Sequence, residues 1–166
     1  EIGEAAQHLD SFEVSSDATY GDEPLPLDAT ATSGLTVSFS SSNPDVVEVN
    51  GTRLHVRGAG SATITAHQPG DANFFGAADL NATVKVAKAD LQVIAHPASK
   101  AYLDENPELS FHYEGFVNGE DASALEQEPT VSTTATKASV AGSYDVNASG
   151  GSAADYHFVY HGSSLE

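Results

Sequence analysis

The residues able to do chemistry are seven histidines, 24 carboxylates and two adjacent phenylalanines, in a chain without cysteine, methionine or tryptophan. Imidazole nitrogens and carboxylate oxygens bind metal ions and carry protons, so their spacing decides whether they do more than face water. His157 and His161 share one face of an alternating run. Four residues of strand span ~13 Å, too far for one ion. His112 meets His157 only if their strands pair. The acidic turns Asp22-Glu23 and Asp104-Glu105, together with Glu108, offer oxygens of the kind Ca2+ takes, as does Asp90 with nearby loop acids. Their spacing does not match the Asp-x-Asp-x-Asp-Gly loop. No metal site and no cofactor is assigned from these residues. Carboxylates are too numerous for a hydrolytic pair to be singled out, and no Gly-x-Ser-x-Gly elbow, phosphate-binding Gly loop or His-Glu-x-x-His is present. The chain reads as non-enzymatic. Phe74 and Phe75 remain as candidate ligand-binding residues, in a stretch rich in Gly, Asp and Asn. They stack on a sugar or mark a protein-binding surface, or one of them plugs the open end of a β-sandwich.

The elements that must position these residues are strands. Leu35, Val37 and Phe39 alternate with Thr36, Ser38 and Ser40, and Ala62, Ile64 and Ala66 alternate with Ser61, Thr63, Thr65 and His67. The same period runs through Leu80 to Val86, Leu109 to Glu114, Tyr144 to Ala148 and Tyr156 to His161. A period of two is a strand with one face buried. Phe12 with Val14, Leu25 to Ala31, Val46 to Val49, Leu54 to Val56, Leu91 with Val93, and Thr130 to Thr136 complete the set. Asn50-Gly51 is a hairpin signal, and Asn118-Gly119 is a turn that tolerates positive φ. Glu120 to Glu126 carries helix formers enough for one turn, near Asp121–Leu125. Short strands between Gly, Pro and Asn turns predict an all-β protein built of sandwich modules.

Tyr20-Gly21-Asp22-Glu23-Pro24 returns 82 residues later as Tyr102-Leu103-Asp104-Glu105-Asn106-Pro107. A repeat at that period predicts two tandem modules, residues 1–88 and 89–166. The net charge of −18, from 24 acids and 6 bases, leaves no basic cluster for phosphate. Nucleic acid and anionic membrane are therefore not partners, and no apolar run is long enough to span a bilayer. Residues 1–9 read as a weak, frayed start. The lack of any Met suggests a piece of a longer or processed chain, and Leu165-Glu166 reads as a cloning remnant outside the fold.

Residues Tyr102, Asp104, Asn106-Pro107, Leu109, Phe111, Tyr113, Gly115 to Gly119, Thr130 to Thr133, Gly142-Ser143-Tyr144 and Asp155 to Phe158 resemble the MBG domains of bacterial surface proteins, the type marked by a Tyr-Gly-x turn. Leu103 stands where that family has Gly, which implies a different turn. The first module, with Tyr20-Gly21-Asp22, Ser41 to Pro44, Val46 to Val49 and Gly58-Ala59-Gly60, resembles the bacterial Ig-like domains that travel with them. The resemblance implies an Ig-like sandwich at 1–88, then a sandwich or β-grasp-like sheet at 89–166 with at most one short helix. It further implies an exported or cell-surface setting in a bacterium, with neighbouring repeat modules of the parent chain as partners. The expected role is that of a monomeric structural spacer or adhesion stalk. The alternative is a glycan- or protein-binding module that uses Phe74, Phe75 and acidic loops, with Ca2+ assisting.

The second module's core is expected at Phe111, Tyr113, Tyr144, Tyr156 and Phe158, with Phe111→Ala costing ~3–5 kcal/mol. The segment from Val86 to Leu91 contains no Gly, no Pro and no polar run, so few hinge angles are open to it. Twelve acids and four bases before Ala89 give −8, and twelve acids and two bases from there on give −10, so the modules repel. The pair is expected to scatter X-rays as an extended particle that contracts as salt screens the repulsion. A radius of gyration near ~15 Å at low salt, that of a single globule of this length, would contradict the expectation.

Overall fold

The computed structural model describes residues 3–166, so the expected weak start over residues 1–9 falls partly outside the described residues. The protein is all-β: strands take 47% of the chain, and the helical content of the described residues is one 3-10 turn. The chain divides into two compact units, Glu1–Lys88 and Ala89–Glu166.

The first unit contains β1 (Leu9–Glu13), β2 (Asp17–Thr19), β3 (Leu25–Pro26), β4 (Asp28–Ala31), β5 (Ser38–Ser41), β6 (Val47–Asn50), β7 (Arg53–Val56), β8 (Gly60–His67) and β9 (Leu80–Ala87). A four-stranded sheet runs β2-β9-β8-β5, and the remaining strands form β1-β4 and β3-β7-β6. The expected single strand Leu25 to Ala31 is split. Pro26 has no N–H to continue a ladder, and Leu27 turns inward while its own N–H reaches Thr52 C=O at 2.9 Å. The chain therefore leaves β7 for β1. The short strand β2, missed in the sequence, pairs parallel with β9. Asn50 pairs with Arg53 across β6 and β7, so the hairpin loop is the two residues Gly51-Thr52. Leu9, Ala31 and Ala66 bury against Phe12, Val37, Phe39 and Leu80 at one end of the unit. Val47, Leu54, Ile64 and Val84 are fully inaccessible.

The second unit contains β10 (Ala89–Ala95), β11 (Phe111–Glu114), β12 (Thr130–Thr133), β13 (Tyr144–Ser149), β14 (Tyr156–His161) and β15 (Ser163–Leu165). They form two three-stranded sheets, β11-β10-β14 and β12-β13-β15. The 3-10 turn Ala122–Ala124 lies where a single helical turn was expected. Asp121 caps it, accepting from Ser123 N–H at 2.8 Å, and hydrogen bonds from Ser123 hold that carboxyl below the usual range.

Two expectations are corrected here. Leu165 is not a remnant: it is 1% exposed and packs with Ala95, Ala135 and Val146, and its strand β15 pairs with β13. The centre of the second unit is aliphatic rather than aromatic. Leu91, Val93, Val146 and Leu165 are fully buried, whereas Phe111, Tyr113, Tyr144 and Phe158 are half-buried and only Tyr156 of the expected five is inside. Leu91 and Val93 occupy the central strand β10, covered on both sides by β11 and β14. Phe111, Tyr113, Tyr156 and Phe158 sit on the outer strands β11 and β14, and most of them form a rim. Phe111, Tyr113, Phe116 and Tyr156 meet edge to face in succession at 5.2, 5.4 and 5.3 Å. Leu91→Ala is therefore expected to cost ~2–5 kcal/mol and Phe111→Ala less than the core range. Denaturant titration of both variants checks the order, and a larger loss at Phe111 would return the core to the rim.

One polar atom in this rim lacks a partner. The Tyr156 hydroxyl donates to Glu120 at 2.5 Å and accepts from Val117 N–H at 3.1 Å, whereas the buried Tyr113 hydroxyl has no hydrogen bond among the described residues. Burial first, then the negative charges of Glu128 and Tyr160, raise the Tyr113 pKa above the usual tyrosine value. The folded state thus keeps the phenol neutral at a pH where the unfolded chain ionises it. Stability present below the unfolded pKa is lost as pH rises past about 10. Tyr113→Phe should raise stability at neutral pH by about 1 kcal/mol and flatten that alkaline loss. Unfolding midpoints across the alkaline range test this, and an unchanged slope would show that the hydroxyl is solvated.

Candidate functional site

The loop from Gln68 to Ala77 carries both candidate ligand-binding residues. Its base is closed by Ala77 N–H donating to Gln68 C=O at 2.9 Å. Gly70 is left-handed at φ +84°, and a Cβ there would lie 2.3 Å from the Phe74 carbonyl oxygen, so only glycine lets the loop fold back on itself. The Asp71 carboxylate accepts from Asn73 and Phe74 N–H at 2.8 and 3.0 Å, and the Asp71 N–H donates to Phe74 C=O at 3.0 Å. Ala5 clamps the outer side: its N–H reaches Asn73 C=O at 2.7 Å, and its C=O accepts from Phe75 N–H at 3.0 Å.

A second brace comes from glutamines that the sequence reading passed over. Gln68 is 4% exposed, and its Oε1 accepts from Gly70 N–H at 2.5 Å and from Gln7 Nε2 at 2.7 Å. Gln7 Nε2 also donates to Phe75 C=O at 2.6 Å, and Gln7 Oε1 accepts from Ser33 Oγ at 2.5 Å. A buried amide costs free energy unless satisfied, and here satisfaction fixes the loop. The two rings separate. Phe74 is half-buried, while Phe75 is 56% exposed on a backbone with little freedom to move.

The acidic turns are engaged locally. Asp22 Oδ2 accepts from Thr19 N–H at 2.7 Å, Glu105 pairs with Lys137 at 2.7 Å, and Asp90 meets His157 at 3.0 Å. Among the described residues no group of three or more His, Cys, Asp or Glu is placed to share an ion. The repeated motif is a repeated turn. Asp22 N–H reaches Thr19 C=O at 3.0 Å, and Asp104 N–H reaches Ala101 C=O at 3.1 Å. Gly21 and Leu103, at the third position of each turn, are left-handed at φ +96° and +69°. The expectation that Leu103 changes the turn is therefore wrong: the backbone keeps the glycine conformation, and the leucine bears the strain. Tyr20 is buried, whereas Tyr102 is exposed beside a groove of about 340 Å3 lined by Lys100, Val140, Tyr144 and Leu165.

Four of the seven histidines, His96, His112, His157 and His161, gather on the outer face of the β11-β10-β14 sheet. Ile94 of β10 is flanked by His112 on one side and His161 on the other, and Asp90 by His157. β10 lies between the strands of His112 and His157, so these two do not pair. His161 Nε2 instead meets Gln92 Oε1 at 2.5 Å, and His112 meets His96 at 2.8 Å.

Residues 91–166 match the family described as MBG domain (YGX type), a span that runs from the third residue of β10 to the end of the chain and includes the Tyr102 turn. No curated protein matches the chain significantly. The matched family is a structural, repeat-type module of surface proteins and not a known enzyme family. No helix of the described residues is long and apolar enough to cross a membrane.

Proposed function

We propose that the two units are non-catalytic, load-bearing repeats of an exported bacterial surface protein, serving as spacer or adhesion stalk. The observation that carries this reading is that each unit pairs a strand near its start with a strand near its end in parallel, β2 with β9 and β10 with β14. In the first, Asp17–Thr19 lies alongside Lys85 to Ala87. In the second, Ala89 to Ile94 lies alongside Tyr156 to His161. That ladder continues: Ala98 N–H donates to Ser164 C=O at 2.9 Å, Glu166 N–H to Ala98 C=O at 3.0 Å and Lys100 N–H to Glu166 C=O at 2.7 Å. Tension along the chain pulls such strands in opposite directions along their common axis. All the bonds of the ladder are then loaded together, whereas an antiparallel hairpin pulled at its open end parts one bond at a time. The first unit fits an Ig-like sandwich in this reading, since its opening segment pairs first with β4 and then, after Val14 to Ser16, with β9 in the other sheet.

A second reading, glycan or protein binding, is favoured by one observation: the exposed Phe75 ring on a braced loop. Force spectroscopy on the cysteine-free chain separates the two, because attachment cysteines can be placed at will. Pulling the second unit through Lys88→Cys and Glu166→Cys should require severalfold more force than pulling through Glu128→Cys and Ser149→Cys, which unzips β12 from β13. Equal forces, together with array binding to a glycan that Phe75→Ala abolishes, would transfer the assignment to the binding module.

A further inference from the structure

We infer that His96 and His112 form a two-imidazole chelate for a divalent transition metal ion on the outer face of the β11-β10-β14 sheet. His96 follows the end of β10, and its N–H reaches Ser110 C=O at 2.9 Å, which extends the β10–β11 ladder by one residue. The register makes His96 the diagonal neighbour of His112 on the same face, within reach for side chains of this length. Their rings face each other with centroids 4.9 Å apart, and His96 Nε2 lies 2.8 Å from His112 Nδ1. Two nitrogens bound at ~2.05 Å and held at roughly 90–110° on one metal stand ~2.9–3.4 Å apart. The observed separation falls just short of this bite, so rotations of the two exposed rings are enough to aim both lone pairs at one ion.

The outward nitrogens carry a further signal. His96 Nδ1 is 2.9 Å from Ser110 Oγ, and His112 Nε2 is 3.5 Å from Glu114 Oε1. Metal-bound imidazoles characteristically engage the other ring nitrogen with a carboxylate, hydroxyl or carbonyl, which fixes the tautomer and leaves the inner nitrogen free to ligate. Here both rings have such partners, and the inner nitrogens meet each other. The hydrogen bond between the inner nitrogens holds one proton. A metal ion takes its place, and that proton moves by exchange with solvent to the outer nitrogen of the same ring, so both imidazoles ligate as neutral rings. The other histidines of this face lack the arrangement, since His157 and His161 are each turned to a residue of β10. Water completes the coordination sphere. Imidazole donors select Cu2+, Ni2+ and Zn2+ over Ca2+ and Mg2+.

Titration calorimetry of the whole chain with CuCl2, NiCl2 or ZnCl2 in a non-coordinating buffer tests the site. One ion per chain is expected, tightest for Cu2+ in the usual order of these metals. His96→Gln and His112→Gln should each weaken binding at least about tenfold, and Glu114→Gln by about tenfold or more through the lost partner of His112. His161→Gln should leave binding unchanged. Both ligands are exposed, so the variants should keep the parent thermal midpoint, and the ring protons of His96 and His112 should shift together on Zn2+ addition. Absence of saturable binding below about 1 mM would overturn the inference. So would equal losses across all the histidine variants, the sign of diffuse attraction to a chain of charge −18.

Discussion

The parallel contact between the opening and closing segments of the second unit is the constraint on which the rest of that unit depends. It places β10 between β11 and β14, so Leu91 and Val93 are covered from both sides and become the centre of the core. It carries the chain past Gly162 into the second sheet, where Leu165 closes the core against Val146 and Ala95. Parallel strands cannot be joined by a tight turn, so everything between Ala95 and Tyr156 is the crossover that the pairing requires. Here that crossover is not a helix. It contains the Tyr102 turn, β11, the 3-10 turn and the β12–β13 pair.

One pleat governs both faces of the β11-β10-β14 sheet. Alternation directs Leu91, Val93, Tyr113 and Tyr156 inward and leaves Asp90, Gln92, His112 and His157 outside. The hydrophobic effect selects the first set, and nothing in folding demands histidines in the second. Their gathering on one sheet is a by-product of register, yet it supplies the only place where two imidazoles of the described residues meet nitrogen to nitrogen. In the first unit the comparable device is an amide network. Gln7 and Gln68 spend their hydrogen bonds on the backbone of one loop, and the exposed ring of Phe75 is held out by that bracing.

The two Tyr turns show how a motif outlasts its residue. A left-handed third position suits glycine, as at Gly21, but at Leu103 the same hydrogen bond closes around a leucine. The surrounding chain over-determines the conformation: Lys100 Nζ reaches Asp104 C=O at 2.9 Å and Thr136 C=O at 2.7 Å, and Asn106 Nδ2 reaches Ala135 C=O at 2.7 Å. Local strain of this kind persists where several longer-range bonds hold the turn in place.

The sequence by itself determined the all-β class, most of the strands, the turns and the absence of catalytic motifs. These follow from local rules: a period of two, Asn-Gly pairs, and the residue types that reactions need. It also carried the likeness of the second half to MBG domains, because that likeness rests on turn residues near one another in the chain. Only the tertiary structure decided which strands are neighbours. Alternation says which side chains share a face and is silent on the partner, its direction and its register. The parallel ladders, the split at Pro26, the strand that buries Leu165 and the aliphatic centre beneath an aromatic rim all depend on partners far away in sequence. So does the meeting of His96 with His112: no spacing along the chain encodes it, because β10 and β11 are brought together across the loop that carries the Tyr102 turn.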